Sequence, residues 1–290
     1  MVSGLVILSV VIEIGIFVSV AVISVCMRNF LSPHKQGFFK DDESLMHPYH
    51  SSTIPSYVLY IVGFLVPPAV MLLVELIHVK NIKLKRGNAK NSALFNKQLV
   101  WNFYHLMCLF IFGAGVTHLL TNIPKYCIGR LRPHFIEVCK PDWSLVNDTS
   151  KYITEDICTG EKALIQEARL SFPSGHSSMA LYCAVVFMLY LQKRFTWKGV
   201  FLIRPLIQTI AFSMAFFTCL SRISDYKHHW SDVLGGAVLG IVIGYIIAHA
   251  MVECVFKKAA RLARTTSGEL PSTFSVYRSS PVPASVSTHF

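Results

Sequence analysis

At 290 residues, 53% hydrophobic and only 15% charged, with a mean hydropathy of +0.49, the chain lacks the composition of a soluble globular domain. A net charge of +11 invites a nucleic-acid partner, but the basic residues crowd into alternate loops between apolar stretches, which argues for a bilayer instead. Eight cysteines show no C-x-x-C spacing, so no structural zinc site is expected.

A membrane-crossing helix needs roughly 20 apolar residues. Six stretches qualify, at 2–27, 55–77, 100–122, 174–192, 200–220 and 230–256. The expected fold is an all-α integral membrane protein: six transmembrane helices in one bundle over 1–256, and a disordered Ser/Thr/Pro-rich tail at 257–290 with room for regulatory phosphosites. The first stretch is read as a retained helix rather than a cleaved signal peptide. It has no basic leader, carries Glu13 near its middle and is long for a signal sequence. Glu13 is costly in lipid and is expected to face the bundle or a wet crevice. Pro67-Pro68 should kink the second helix. The ridge Gly236-x₃-Gly240-x₃-Gly244 suits tight packing inside the bundle, and it also permits a homo-oligomer.

Lys80, Lys83, Lys85, Arg86, Lys90 and Lys97 fall between helices 2 and 3, and Lys193, Arg194 and Lys198 between 4 and 5. Lys257, Lys258, Arg261 and Arg264 follow helix 6. The positive-inside rule makes these segments cytosolic, with both termini; Arg28 alone points the other way. Loops at 28–54, 123–173 and 221–229 are then extracellular or lumenal. In that compartment Cys139 and Cys158 are candidates for a disulfide, and Asn147-Asp148-Thr149 for glycosylation at Asn147.

Three polar motifs interrupt this apolar chain: Lys125-x₆-Arg132-Pro133, Pro173-Ser174-Gly175-His176 and Ser221-Arg222-x₅-His228-x₃-Asp232. Loops 3–4 and 5–6 of a six-helix protein share one side, so all three motifs meet at one membrane face. Ser174 can cap a helix whose first N–H groups bind an anion, with Gly175 allowing close approach and His176 in the first turn. His228 and Asp232, four apart, share a helix face, so the carboxylate can orient the ring as a nucleophile. Lys125, Arg132 and Arg222 supply fixed cations for phosphoryl oxygens. Arg130 is read as a headgroup contact and His229 as interfacial. Two-metal phosphatases cluster carboxylates; none stands at ligand spacing beside these histidines, so neither metal nor cofactor is expected.

At these motifs the chain resembles the lipid phosphate phosphatases of the type 2 phosphatidic acid phosphatase superfamily. Longer stretches are similar too: KYCIGRLRPHF, RLSFPSGHSS, SRISDYKHHWSDVLGG, and QGFFKDDES with HPYH in the first outer loop. The resemblance implies Mg²⁺-independent hydrolysis of phosphatidic acid, lysophosphatidic acid, sphingosine 1-phosphate and ceramide 1-phosphate at an outward or lumenal site. It implies His228 as nucleophile forming a phosphohistidine, His176 as general acid and base, and Asp232 orienting His228. Lys125, Arg132, Ser174, Gly175 and Arg222 would hold phosphate. The expected partners are the bilayer and its lipid phosphates, at the plasma membrane, with Golgi or endoplasmic reticulum as alternatives. A phosphotransferase of the same architecture and a non-catalytic membrane interaction protein are the competing readings.

Overall fold

The structure, a computed structural model, describes residues 2–86, 92–146, 151–195, 199 and 201–257; Lys90, Asn147, Lys198 and the tail beyond 257 lie outside them. In chain order the helices are α1 (Val2–Phe30), α2 (Ser56–Arg86), α3 (Ser92–Ile128), two short helices α4 (Phe135–Cys139) and α5 (Lys162–Ala168), then α6 (Gly175–Arg194), α7 (Ile203–Ser224) and α8 (Trp230–Met251). A π-helical turn, Val252–Lys257, continues α8. No strand forms among the described residues, only isolated bridges at Phe38–Ile153 and Pro141–Cys158.

Among the described residues, five helices (α1, α2, α3, α7 and α8) are long and apolar enough to cross a membrane. A helix satisfies its own backbone, which is what lipid demands. The expected sixth span, α6, does not meet that measure, for a physical reason. It runs through the middle of the bundle against α2, α3, α7 and α8, and protein rather than lipid covers its Ser177, Ser178, Tyr182 and Tyr190. By contrast α1 presents Ile7, Val11, Ile14, Val18 and Val22 outward and packs on α3. Its Glu13 turns inward, accepting from the Tyr104 hydroxyl with the Cys108 thiol 3.9 Å away.

The tightest contact is between α6 and α8. A Cβ on Gly236 would lie 2.3 Å from the Ser174 carbonyl oxygen, and one on Gly240 would lie 2.1 Å from that of Ser178. The glycine ridge is therefore used within the chain, where small residues let two helices approach. Met71, Leu106, Phe110, Val186 and Ile247 fill the core around it. At the end of the bundle opposite the motifs, Arg194 forks onto buried Glu75 at 2.6 and 2.7 Å and ties α6 to α2.

Several boundaries differ from the sequence-based ones. Helix α3 continues past Pro124 and carries Lys125 in its last turn, not in a loop. Helix α7 extends through Ser221 and Arg222 because Asp225 closes its end, its N–H bonding Ser221 and its carboxylate pairing with Arg222. Helix α2 takes in Lys80, Lys83, Lys85 and Arg86, and runs on through Pro67 and Pro68. The segments at 31–55, 129–146 and 151–174 fold together at the motif end around Phe38, Leu131, Phe135, Ile153 and Ile157. A disulfide joins Cys139 to Cys158 beneath this cap, with 4.6 Å between the Cα atoms.

Because the α6–α8 contact leaves no room for a methyl group, Gly240→Ala should lose at least about 2 kcal/mol, the scale of an overpacked core. Gly15→Ala, where a Cβ meets nothing within 4 Å, should be neutral. Thermal unfolding in detergent distinguishes the two.

Candidate active site

The three motifs converge on a cavity of about 210 Å³, lined by Lys125, Arg132, Gly175, His176 and His228. The last turn of α3 supplies Lys125, whose Nζ donates to the Leu170 carbonyl at 2.6 Å. Arg132 follows α3; its backbone N–H bonds the Ala168 carbonyl at 2.8 Å, which links it to the end of α5. Its guanidinium reaches Glu167 at 2.9 Å, while its buried Nε has no partner. Glu167 is mostly exposed, so that pair is worth at most about 1 kcal/mol and is readily exchanged for an incoming anion.

Ser174 caps α6, its hydroxyl accepting from the Ser177 N–H, and its own N–H donates to the Asp232 carbonyl at 2.9 Å. At Gly175 a Cβ would meet only a Thr121 methyl, at 3.8 Å, so here the glycine faces space and not a neighbour. His176 in the next position bonds the Ile54 backbone with one ring nitrogen, while its buried Nε2 is unpartnered. His228 turns Nδ1 towards Ser171 and Asp232, at 3.5 and 3.9 Å, which leaves Nε2 for the cavity. Each imidazole thus has one nitrogen directed away from the cavity and one available to it.

The Asp232 geometry refines the expectation of a direct bond to His228, since 3.9 Å is beyond hydrogen bonding. Ser171 stands between them, donating to Asp232 at 2.6 Å. The carboxylate also accepts from the His229 N–H at 3.0 Å and from Arg130 at 2.5 Å. Two readings are corrected here. Arg130 is not simply a headgroup contact: it turns one guanidinium nitrogen inward because Asp232, fully buried, needs a counter-charge. His229 is not simply interfacial: it closes a capping box with Asp232 at the start of α8 and bonds the Leu131 carbonyl at 3.1 Å.

Arg222 is not a wall of the cavity. Only 1% exposed, its guanidinium donates to Asp225 at 2.8 Å and to Ser52 at 3.2 Å. Asp225 in turn accepts from the N–H and hydroxyl of Thr53, at 2.8 and 2.6 Å. Ile54, the next residue, is the backbone partner of His176. Nothing in the linear sequence singles out Thr53, Ser171 or Arg130 as a site residue. Asp225 had one available signal, its i,i+3 spacing from Arg222.

The turn that delivers His228 is braced from outside. Tyr226 adopts φ 52°, a conformation costing a bulky residue about 1–2 kcal/mol. His134 donates to the Tyr226 carbonyl at 2.7 Å, and the rings of His47 and His50 lie 4.5 and 5.7 Å from the tyrosine ring. The HPYH segment between α1 and α2 is therefore a brace on the third motif. Burial pushes His134 down to about 4, so its ring stays neutral. Burial likewise holds His228 well below the ordinary histidine value, with Arg132 and Lys125 adding to the effect and Asp232 opposing it.

Arg130→Gln should move His228 upward, because Asp232 relieved of its counter-ion acts more strongly on the imidazolium. Ring-proton NMR should show the His228 midpoint rising towards 6.5 in that variant. Asp225→Asn keeps the shape but loosens Arg222 and the Thr53 segment. Orthovanadate should bind about tenfold more weakly, a loss of about 1.4 kcal/mol, by calorimetry.

The PAP2 superfamily profile matches residues 106–256, which include all three motifs. Phospholipid phosphatase 2 of Homo sapiens is 40% identical over 212 residues, 73% of this chain and 72% of that protein. Phospholipid phosphatase 1 of Rattus norvegicus is 38% identical over 216 residues, 74% of this chain and 75% of its own length. A Drosophila melanogaster relative is 44% identical over 250 residues, covering 80% of this chain and 66% of the relative. No solved structure matches significantly. Motif geometry, family profile and relatives agree: the chain belongs to the PAP2 superfamily.

Proposed function

We propose that the chain is a lipid phosphate phosphatase that cleaves phosphomonoesters through a phosphohistidine. The observation that carries this reading is the cavity itself. Three imidazoles, those of His176 and His228 from the motifs and that of His118 on α3, face one small space with two cations, and two buried groups, Arg132 Nε and His176 Nε2, have no partner until something polar enters. An unsatisfied buried donor costs about 1–3 kcal/mol, so Arg132 favours an oxyanion ligand; His176, whose other ring nitrogen donates to the Ile54 backbone, donates from Nε2 only when the ring is protonated. Among the described residues, no three His, Cys, Asp or Glu side chains converge as a metal site.

In the proposed reaction, Nε2 of neutral His228 attacks phosphorus as the bond to the lipid oxygen breaks. His176 in its protonated form gives its proton to the departing alkoxide. Neutral His176 then takes a proton from water, whose oxygen attacks the phosphohistidine; the N–P bond breaks, inorganic phosphate leaves and His228 is restored. Lys125 and Arg132 stabilise the equatorial oxygens together with the free N–H groups at Gly175 and His176. Arg222, held by Asp225, adds charge from behind. A lowered His228 value suits the role, since the nucleophilic neutral ring persists as pH falls through 6.5.

The substrates we propose are phosphatidic acid, lysophosphatidic acid, sphingosine 1-phosphate and ceramide 1-phosphate. In this reading α6 is the sixth membrane helix, the motif end faces outside or lumen, and the plasma membrane is the site of action. Asn147, in the same outer segment as the Cys139–Cys158 disulfide, would be glycosylated.

With EDTA present, wild-type protein should release phosphate from phosphatidic acid in micelles, and His228→Ala should fall to background. His176→Ala should lose about 10²–10⁴-fold, the usual weight of a general acid, yet still trap a phosphoenzyme that His228→Ala does not form. The opposite trapping pattern would exchange the two roles. A new phospholipid in place of free phosphate would make the protein a transferase.

A further inference from the structure

Beside the catalytic cavity lies a second hollow of about 190 Å³, between α2, α6 and α7, with almost wholly apolar walls. Its floor is made of short side chains, among them Gly63 on α2, Ala184 on α6 and Ala211 on α7. Met214 and Phe217, 49% and 57% exposed, form a lip that opens sideways, which for a membrane helix means into lipid. The hollow is therefore a groove with one side missing, not a closed void.

Its position gives it a use. Leu59 is a wall of both the groove and the catalytic cavity. Ile54 also lines the groove, and its backbone is the partner of His176. From Val58 to Pro67 the groove follows α2 for about 13 Å at 1.5 Å per residue. A bilayer core is about 30 Å thick, so the groove runs close to the depth of one leaflet, starting where the reacting phosphate would sit.

We propose that this groove holds one acyl chain of the substrate while the phosphate occupies the cavity beyond Leu59. The inference rests on the phosphatase reading above. An acyl chain gains little hydrophobic free energy on moving from lipid into an apolar groove, so the groove acts through shape. It fixes the direction from which the ester oxygen reaches His176 and favours lipids whose chain can follow α2. A second chain stays in the bilayer.

The test narrows the groove from floor and lip separately, with Ala211→Leu and Met214→Trp. Both variants should hydrolyse dihexanoyl phosphatidic acid like wild type, which also reports correct folding. On the dioleoyl lipid kcat/KM should fall about tenfold, the lower end of what a misfit of one methylene costs in an apolar pocket. Thermal unfolding with non-hydrolysable hexyl and tetradecyl phosphonates gives a readout that needs no turnover. The extra stabilisation by the longer chain should be present in wild type and lost in both variants. If it is the same in all three proteins, or if both lipids lose activity in parallel, the groove is not a chain site. If no lipid is hydrolysed but the chain-length increment is present and variant-sensitive, the groove stands and the phosphatase reading falls.

Discussion

Everything at the motif end depends on one buried carboxylate. Asp232 is fully inaccessible, and an unpaired charge there would cost several kcal/mol. Its oxygens are met by Arg130, by the Ser171 hydroxyl and by the His229 N–H, while its backbone carbonyl accepts from Ser174. Those partners come from the segment after α3, the approach to α6 and the cap of α8. Neutralising a single charge therefore draws three distant stretches of chain to one point, and His228 is set in place as a consequence. The aspartate is less a direct handle on the imidazole than the knot on which the ring, the start of α6 and the first motif are tied.

That knot can form only because α6 and α8 come unusually close. The absence of a Cβ at Gly236 brings the Ser174 carbonyl against α8, on the same residue whose hydroxyl caps α6 and whose N–H bonds Asp232. Packing in the lipid-embedded part of the chain and chemistry at its end are thus linked mechanically through α6. The same helix carries Arg194 at its other end, forked onto Glu75, so it is pinned at both termini. A helix held in this way gives a rigid origin for the N–H groups on which an oxyanion would rest.

The cations are not equivalent, although a motif shows them as alike. Arg132 keeps a free buried Nε and a weak exposed partner, which suits a group that must exchange ligands. Arg222 is fully engaged by Asp225 and by Ser52, which suits a fixed background charge. Lys125 sits between these limits, with one hydrogen bond from its ammonium to a backbone carbonyl. In the proposed reaction such a division would keep positive potential near the reacting oxygens while leaving few charges to reorganise when the substrate binds.

Much of this was legible in the chain itself. Hydropathy revealed long apolar helices because lipid demands about 20 apolar residues, and parity alone brought the polar motifs to one end. The i,i+4 spacing of His228 and Asp232, the Ser-Gly-His helix start and the glycine ridge each state a local geometry, and local geometry is what sequence encodes. What it left open were the partners of groups distant in sequence. Arg130 looked like a surface cation because nothing near it in the chain reveals Asp232, 102 residues away. The linear pattern of α6 could not show that protein, not lipid, would surround it, nor did HPYH read as a brace on a turn nearly 180 residues on. Those outcomes belong to tertiary structure, because only folding decides which buried charge is left needing a counter-charge and which side chain is near enough to supply it.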